Sequence, residues 1–286
     1  MTAIVIRGNP WRLAFLLYRD FAAAEMANVR EWIALHGGIF QRGGMSEPAN
    51  LHDTQLPPSA KILVAIGDIH GRLDLLDRLL PKISEHLDGR AARLVFLGDY
   101  IDRGPDSAGV LDRLIGVRES FSDCVFLKGN HEEALLDFLA APEEMASWLG
   151  WGGDATLLSY GLDTDEFEDI KALRDAFAAA LPDDHFRFLL DLELFHRAAP
   201  YQFVHAGLNP DLPFDRQIER DLLWIRDRFF NANPKSFGDW VIVHGHTPVD
   251  APDNLSWRIN VDTGAVWSSQ LTAVVLDGED RRFLTS

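Results

Sequence analysis

The sequence predicts an α/β protein in which two mixed β-sheets are flanked by helices. Three observations carry this expectation. Short apolar runs alternate with helical patterns between Lys61 and Leu127, giving β-α-β-α-β. Residues 140–200 are mostly helical in pattern and interrupt the sheet as an insertion. Strand signals then return at close spacing, as a second sheet packed on the first requires.

In chain order, Ile62–Ile66 is an unbroken apolar run of strand length, and Leu73–Leu87 places apolar residues at helical spacing. Arg93–Leu97 reads as the next strand, Ser107–Leu114 as the next helix and Val125–Leu127 as a third strand. Within the insertion the candidate helices are Glu143–Trp148, Asp165–Ala180 and Asp183–Phe195. Tyr201–Val204, Trp240–Val243, Trp257–Val261 and Leu271–Leu276 follow as strands, expected together in the second sheet. There is no internal repeat and no low-complexity segment.

Residues 1–60 read as an N-terminal extension and linker, with the chemistry expected in a domain over 61–286. Trp11–Leu35 fits one amphipathic helix without a strand partner or motif, and the polar, Pro-containing run 46–60 fits a linker. With 286 residues, 47% of them hydrophobic and 25% charged, the chain is long enough and apolar enough for a sizeable core. Its formal net charge of −17 repels polyphosphate backbones, so a general nucleic-acid binder is excluded unless a bound metal or a basic patch reverses the sign locally. The single cysteine, Cys124, cannot form an intramolecular disulfide, and no secretory leader pattern or run of about 20 apolar residues is present. A cytoplasmic protein with no membrane partner is expected.

Each of the first three strands ends in a polar cluster: Gly67-Asp68-Ile69-His70-Gly71, then Gly98-Asp99-Tyr100-Ile101-Asp102-Arg103-Gly104, then Gly129-Asn130-His131-Glu132. Two later strands end in His205-Ala206-Gly207 and His244-Gly245-His246. Ligands of open α/β sheets bind at the carboxyl ends of strands, so these five clusters should converge. Carboxylates, one amide oxygen and imidazoles without a thiolate suit borderline divalent ions such as Mn, Fe, Zn or Co better than Mg alone. They are too many for one tetrahedral site, and a shared carboxylate such as Asp99 points to a binuclear centre.

These clusters resemble the metallophosphoesterases, calcineurin-like, and among them the phosphoprotein phosphatase branch, whose pattern is GDxHG, GDxxDRG, GNHE, a later His-Ala-Gly and a final Gly-His. The resemblance spans about 61–276 and is closest to bacterial-type serine/threonine protein phosphatases. It implies that Asp68 and His70 hold one metal, that Asp99 bridges, and that Asn130, His205 and His246 hold the other. It makes His131 the catalytic acid, paired with Asp102, and Arg103 and Arg226 the groups that grip the substrate phosphate. Pro248 stands where the wider superfamily often has a second histidine, which favours the phosphatase branch. Lys128 stands where animal-type relatives carry Arg before GNHE.

The chemistry accounts for these residue types. Two divalent ions, Mn first and Fe, Zn or Co as alternatives, would supply a bridging hydroxide for in-line attack on phosphorus. A departing serine or threonine alkoxide is strongly basic and needs an imidazolium donor, which a neighbouring carboxylate favours. The expected function is therefore phosphomonoester hydrolysis, of a phosphoprotein or a small phosphoester, with serine/threonine phosphoprotein phosphatase as the leading reading. Hydrolysis of a dinucleoside polyphosphate such as diadenosine tetraphosphate is the alternative. A phosphate-binding pseudoenzyme would lack a ligand or the acid, and none is missing.

Blander roles fit other residues. His36, His52, His86, His185 and His196 read as surface or core histidines, and Cys124 as a small core residue. His244 is a candidate supporting group on the strand face it would share with His246. Trp148 and Trp151 fit either the wall of the cleft or packing of the insertion.

Overall fold

The structure is a computed structural model and describes residues 62–286 apart from Ser122. The expected N-terminal extension, with its helix over Trp11–Leu35 and its linker over 46–60, lies outside the described residues.

Two five-stranded sheets form the centre. The first has the order β10-β9-β1-β2-β3, with β1 (Ile62–Ile66), β2 (Ala92–Phe96) and β3 (Cys124–Phe126) parallel, and β9 (Thr272–Asp277) and β10 (Asp280–Thr285) antiparallel additions. The second has the order β4-β5-β6-β8-β7. In it β5 (Tyr201–Val204), β6 (Val241–His244) and β8 (Arg258–Asn260) run parallel, and β4 (Phe195–Ala198) and β7 (Asp253–Asn254) close the two edges antiparallel. Both sheets are mixed, as expected.

Strand alternation sorts the core on the two faces of the first sheet into two layers. Leu63, Ala65, Val95, Leu97, Val125 and Leu127 of the first sheet meet Tyr201, Phe203, Val243 and Ile259 of the second. The opposite face of the first sheet, with Ile62, Val64, Ile66, Leu94 and Phe96, packs on α1 (Leu73–Leu87) and α2 (Ser107–Ser120). Because β1 is covered on both sides, all five of its residues are buried and its sequence is apolar throughout. The helix α3 (Asn130–Ala140) joins the same layer, as does the insertion through α4 (Gly153–Ser159), α5 (Ile170–Ala180) and α6 (Asp183–Leu190).

Several sequence expectations shift. Leu271–Leu276 does not belong to the second sheet: β9 pairs with β1 and returns the chain to the first. The helix expected over Asp183–Phe195 stops at Leu190, and the chain turns into β4, whose alternating half-buried and buried residues include His196 and Arg197 and so hide the strand signal. The helix expected from Asp165 starts at Ile170, where the Asp169 carboxylate accepts the Ala172 N–H at 2.8 Å. Glu143–Trp148 gives way to a 3₁₀ turn over Ala146–Trp151. The helix α3 and the charged edge strand β10 were not anticipated.

Candidate metal centre and active site

The polar loops after β1, β2, β3, β5 and β6 meet at one end of the sandwich. Backbone bonds tie them together: the Ile69 and His70 amides both donate to the Asp99 carbonyl at 2.9 Å, and the Gly245 amide donates to the His205 carbonyl at 2.8 Å. Among the described residues, five of the seven non-glycine residues with left-handed backbone are His70, Asp99, Asp102, Arg103 and His246. That conformation costs an ordinary residue roughly 1–2 kcal/mol, so the surrounding structure must hold the loops in place. Two motif glycines make room for carboxylates, since a Cβ at Gly129 would lie 2.1 Å from Asp99 Oδ1 and one at Gly245 would lie 2.0 Å from Asp68 Oδ1.

Two buried donor sets share Asp99. His70, Asp99 and His131 form one, and Asp99, His205 and His246 the other, with the ligand atoms of each set within 4.8 Å of one another. His70 Nε2 lies 3.5 Å from Asp99 Oδ2, and His205 Nε2 lies 3.4 Å from Asp99 Oδ1. Asn130 Oδ1 faces His205 Nε2 at 3.0 Å and His246 Nδ1 at 2.8 Å. Asp68 accepts the His246 N–H through both carboxylate oxygens, at 3.2 and 3.0 Å.

A cation fits this donor set. The Nδ1 atoms of His70 and His205 face the carbonyls of Ile101 at 2.9 Å and Leu97 at 2.8 Å, and a carbonyl can only accept. Each ring therefore carries its proton on Nδ1 and turns a bare Nε2 lone pair toward the Asp99 carboxylate. Burial lowers His70 to about 3 and His246 to about 2, keeping both rings neutral and ready to ligate. His246 Nε2 is buried without a hydrogen-bond partner. Burial works against ionisation of Asp99, but His205, His131, His70 and His246 outweigh it and hold the carboxyl below the usual range. Burial, with Asp262 and Asp99 nearby, raises Asp68 well above it. Lone pairs and carboxylates facing one another at these distances repel unless positive charge lies between them.

His131 Nδ1 lies 2.6 Å from Asp102 Oδ2, with both side chains buried. Asp102 also accepts Trp148 Nε1–H at 2.7 Å and the Thr156 hydroxyl at 2.6 Å, which fixes both of its oxygens. Burial opposes a charged His131, yet Asp99 and the Asp102 bond outweigh it and raise the imidazole above its ordinary value. Burial raises Asp102, while its bonds from His131, Thr156 and Trp148 pull it back. Trp148 is fully buried and is thus a partner of Asp102, whereas Trp151 is 39% exposed.

Arg103 and Arg226 border the centre. The Arg103 guanidinium reaches His70 Nε2 at 2.7 Å, and Arg226 Nη1 donates to Thr247 Oγ1 at 3.3 Å. Two carboxyls with work here escaped sequence reasoning. Glu132 accepts the N–H of Asp99 at 2.9 Å, Tyr100 at 2.7 Å and Gly129 at 2.8 Å, and so laces two loops together. Burial, with Asp99 nearby, raises it to about 7. Asp262 accepts the Gly264 N–H at 2.9 Å, and burial lifts it to about 6 beside Asp99, Arg103 and Arg226.

His244 does not share a face with His246, because the strand ends at His244 and His246 is left-handed. Its ring packs edge-on against Phe229 and Phe230, at 5.0 and 5.5 Å. His185 lies between Tyr160 and Asp112, and His196 beside Arg93, both buried away from the centre. His36 and His52 lie outside the described residues. Cys124 is half-buried at the edge of the core, its thiol facing the Phe121 carbonyl at 3.4 Å, and burial pushes it up to about 11.

The model of the calcineurin-like phosphoesterase family matches residues 62–270, a span that contains every one of these loops. The chain belongs to that family. This phosphoesterase is 34% identical over 210 residues to serine/threonine-protein phosphatase 1 of Salmonella typhimurium, covering 72% of this chain and 88% of that one. It is 29% identical over 232 residues to the asymmetrical bis(5'-nucleosyl)-tetraphosphatase PrpE of Halalkalibacterium halodurans, covering 73% and 87%. Its fold matches a provisionally named diadenosine tetraphosphatase with TM-score 0.59 and 22% identity, over 85% of this chain and 99% of that one. The phosphoesterase is thus a metal-dependent hydrolase of phosphoric esters. Among its described residues, no helix is long and apolar enough to cross a membrane.

Proposed function

We propose that this phosphoesterase hydrolyses phosphate monoesters, foremost phosphoserine and phosphothreonine in proteins. The observation that carries the reading is the buried His131–Asp102 contact of 2.6 Å, with Asp102 locked by Trp148 and Thr156. An alkoxide leaving group is strongly basic and cannot depart without a proton, and a carboxylate-bound imidazolium beside the centre is the group to supply it. The similarity to serine/threonine-protein phosphatase 1 supports the same substrate class.

In this reading Asp68, His70 and Asp99 hold one divalent ion, and Asp99, Asn130, His205 and His246 hold a second, manganese being our choice. When bound, the two ions supply a water of lowered pKa as nucleophile and neutralise charge that develops on the phosphate. Arg103 and Arg226 grip the phosphate oxygens, where a planar guanidinium offers two parallel donors. Asp102 fixes the ring of His131 and favours its charged form, and His131 passes its Nε2 proton to the departing oxygen. Glu132 keeps Asp99 and Asn130 in register. The catalytic unit is 61–286, and a chain with one cysteine suits the cytoplasm.

Dinucleoside polyphosphate hydrolysis is the second reading, favoured by the tetraphosphatase relatives and by the exposed ring of Trp151, which packs edge-on against Trp224. The deciding measurement is kcat/KM on a phosphothreonine peptide panel beside diadenosine tetraphosphate, with manganese added to metal-stripped protein. We expect the peptides to be preferred. A preference for the dinucleotide above about a hundredfold, some 2.7 kcal/mol of transition-state binding, overturns the first reading.

A further inference from the structure

Four large apolar side chains are exposed among the described residues: Trp151, Leu158, Leu255 and Trp267. One of the four lies beside Arg103, and a second is the chain neighbour of a residue that bonds it. The Arg103 guanidinium carbon lies 5.4 Å from the centre of the Trp267 ring, and the Arg103 amide donates to the carbonyl of Gly152, next to Trp151, at 3.0 Å. Trp267 is 65% exposed, so the arginine covers only part of the indole.

The ring is also held in place. Trp267 sits on the short helix α7 (Ala265–Ser268), and its amide donates to the Gly264 carbonyl at 2.9 Å. Gly264 is left-handed, and a Cβ there would stand 3.2 Å from Trp267 Cε3, so glycine lets the ring fold down against the turn. A large apolar surface left in water forgoes the gain of burial, and here it borders the side chain assigned to the phosphate. An aromatic face next to an anion grip is suited to a planar group attached to that anion.

We propose that Trp267 is a specificity-determining platform on which a planar ring of the substrate, close to the scissile oxygen, stacks while Arg103 holds the phosphate. The preferred esters then carry an aromatic ring or a nucleobase beside the phosphate. This rests on the reading that Arg103 grips phosphate, and it leaves open whether the ring belongs to a nucleotide or to an aromatic residue of a phosphopeptide.

The test compares benzyl phosphate with cyclohexylmethyl phosphate, two esters of primary alcohols that differ in the flatness of the ring. kcat/KM is measured on metal-loaded wild type, Trp267→Ala, Trp267→Leu and Trp267→Phe. We expect Ala and Leu each to lose about tenfold or more on benzyl phosphate and less than about twofold on cyclohexylmethyl phosphate, with Phe restoring most of the loss. The source of the ring is read from two further pairs: diadenosine tetraphosphate against inorganic tetraphosphate, and phosphothreonine peptides with tyrosine or alanine beside the phosphoresidue. Equal losses on the flat and the saturated ester would mean that the indole only supports Arg103, and would overturn the proposal, as would no loss on either. A wild-type enzyme that turns over tetraphosphates but neither monoester would instead remove the monoester reading, and Trp267 would then be judged on the tetraphosphate pair.

Discussion

Nδ1 of His131 lies 2.6 Å from Oδ2 of Asp102, and neither side chain is reached by solvent to more than 2%. The carboxylate stabilises the protonated ring, so the acid form persists above the ordinary histidine pKa and turnover should fall as pH rises through the raised value. Asp102→Asn removes that charge. The basic limb of the pH profile of kcat/KM should move to lower pH, with turnover at neutral pH reduced by about tenfold or more. A basic limb left in place would show that Asp102 does not govern the acid.

Replacing the acid itself separates substrates by their leaving groups. His131→Asn should retain both metals and lose about 10²–10⁴-fold on alkyl phosphates such as phosphoserine, the usual contribution of general acid catalysis. The loss on p-nitrophenyl phosphate, whose phenolate leaves without a proton, should be much smaller. Equal losses with intact metal content would assign His131 to positioning the nucleophile or the phosphate.

Metal content tests the shared carboxylate. Two ions per chain are expected, with chelation abolishing turnover and manganese restoring it. Asp99→Asn should cut metal content and activity together, because Asp99 belongs to both donor sets. His244→Ala should keep the metals, since its ring packs against Phe229 and Phe230 instead. One ion per chain at saturation would undo the assignment.

Glu132 should matter as much as a ligand without being one. Glu132→Ala strands three buried amides, each costing about 1–3 kcal/mol, and frees the left-handed Asp99 to relax. Weaker metal binding is expected along with a lower denaturation midpoint. Glu132→Gln, which keeps one acceptor oxygen, should fall between Ala and wild type.

A chain beginning near Ser59 should keep its metals and its turnover, because the family match begins at Ile62 and every residue of the centre lies after it. Loss of activity in a folded, metal-loaded truncation would bring residues before Ser59 into the site.

The centre was legible in the sequence because its side chains stand in short polar clusters that follow apolar runs of strand length. Gly129 and Gly245, the motif glycines before Asn130 and His246, leave room for the carboxylates of Asp99 and Asp68, and each group falls at the end of an apolar run. What stayed hidden depends on contacts between distant segments. Glu132 was visible as a letter of its motif, but its hold on Asp99, 33 residues earlier, exists only once both loops are folded. Trp148 and Thr156, both in the insertion, reach Asp102 across sequence separations of 46 and 54 residues. Asp262 follows a strand with no cluster of its own. In the fold, the doubly covered β1 was plain, while β4 and β10 are edge strands whose arginines and half-buried residues obscure the period. The return of β9 to the first sheet is topological, and strand spacing alone does not carry it.

The proposed donors divide between the two sheets: Asp68, His70, Asp99 and Asn130 stand on loops of the first, His205 and His246 on loops of the second. Under the proposed assignment the enzyme would work as a gauge of its own alignment. A slide of one sheet over the other by about an ångström would leave every strand intact, yet it would pull His205 and His246 away from Asp99 and part the two halves of the centre. Ions held there would act as rivets across that seam, and heat or denaturant should silence the enzyme before it melts the strands.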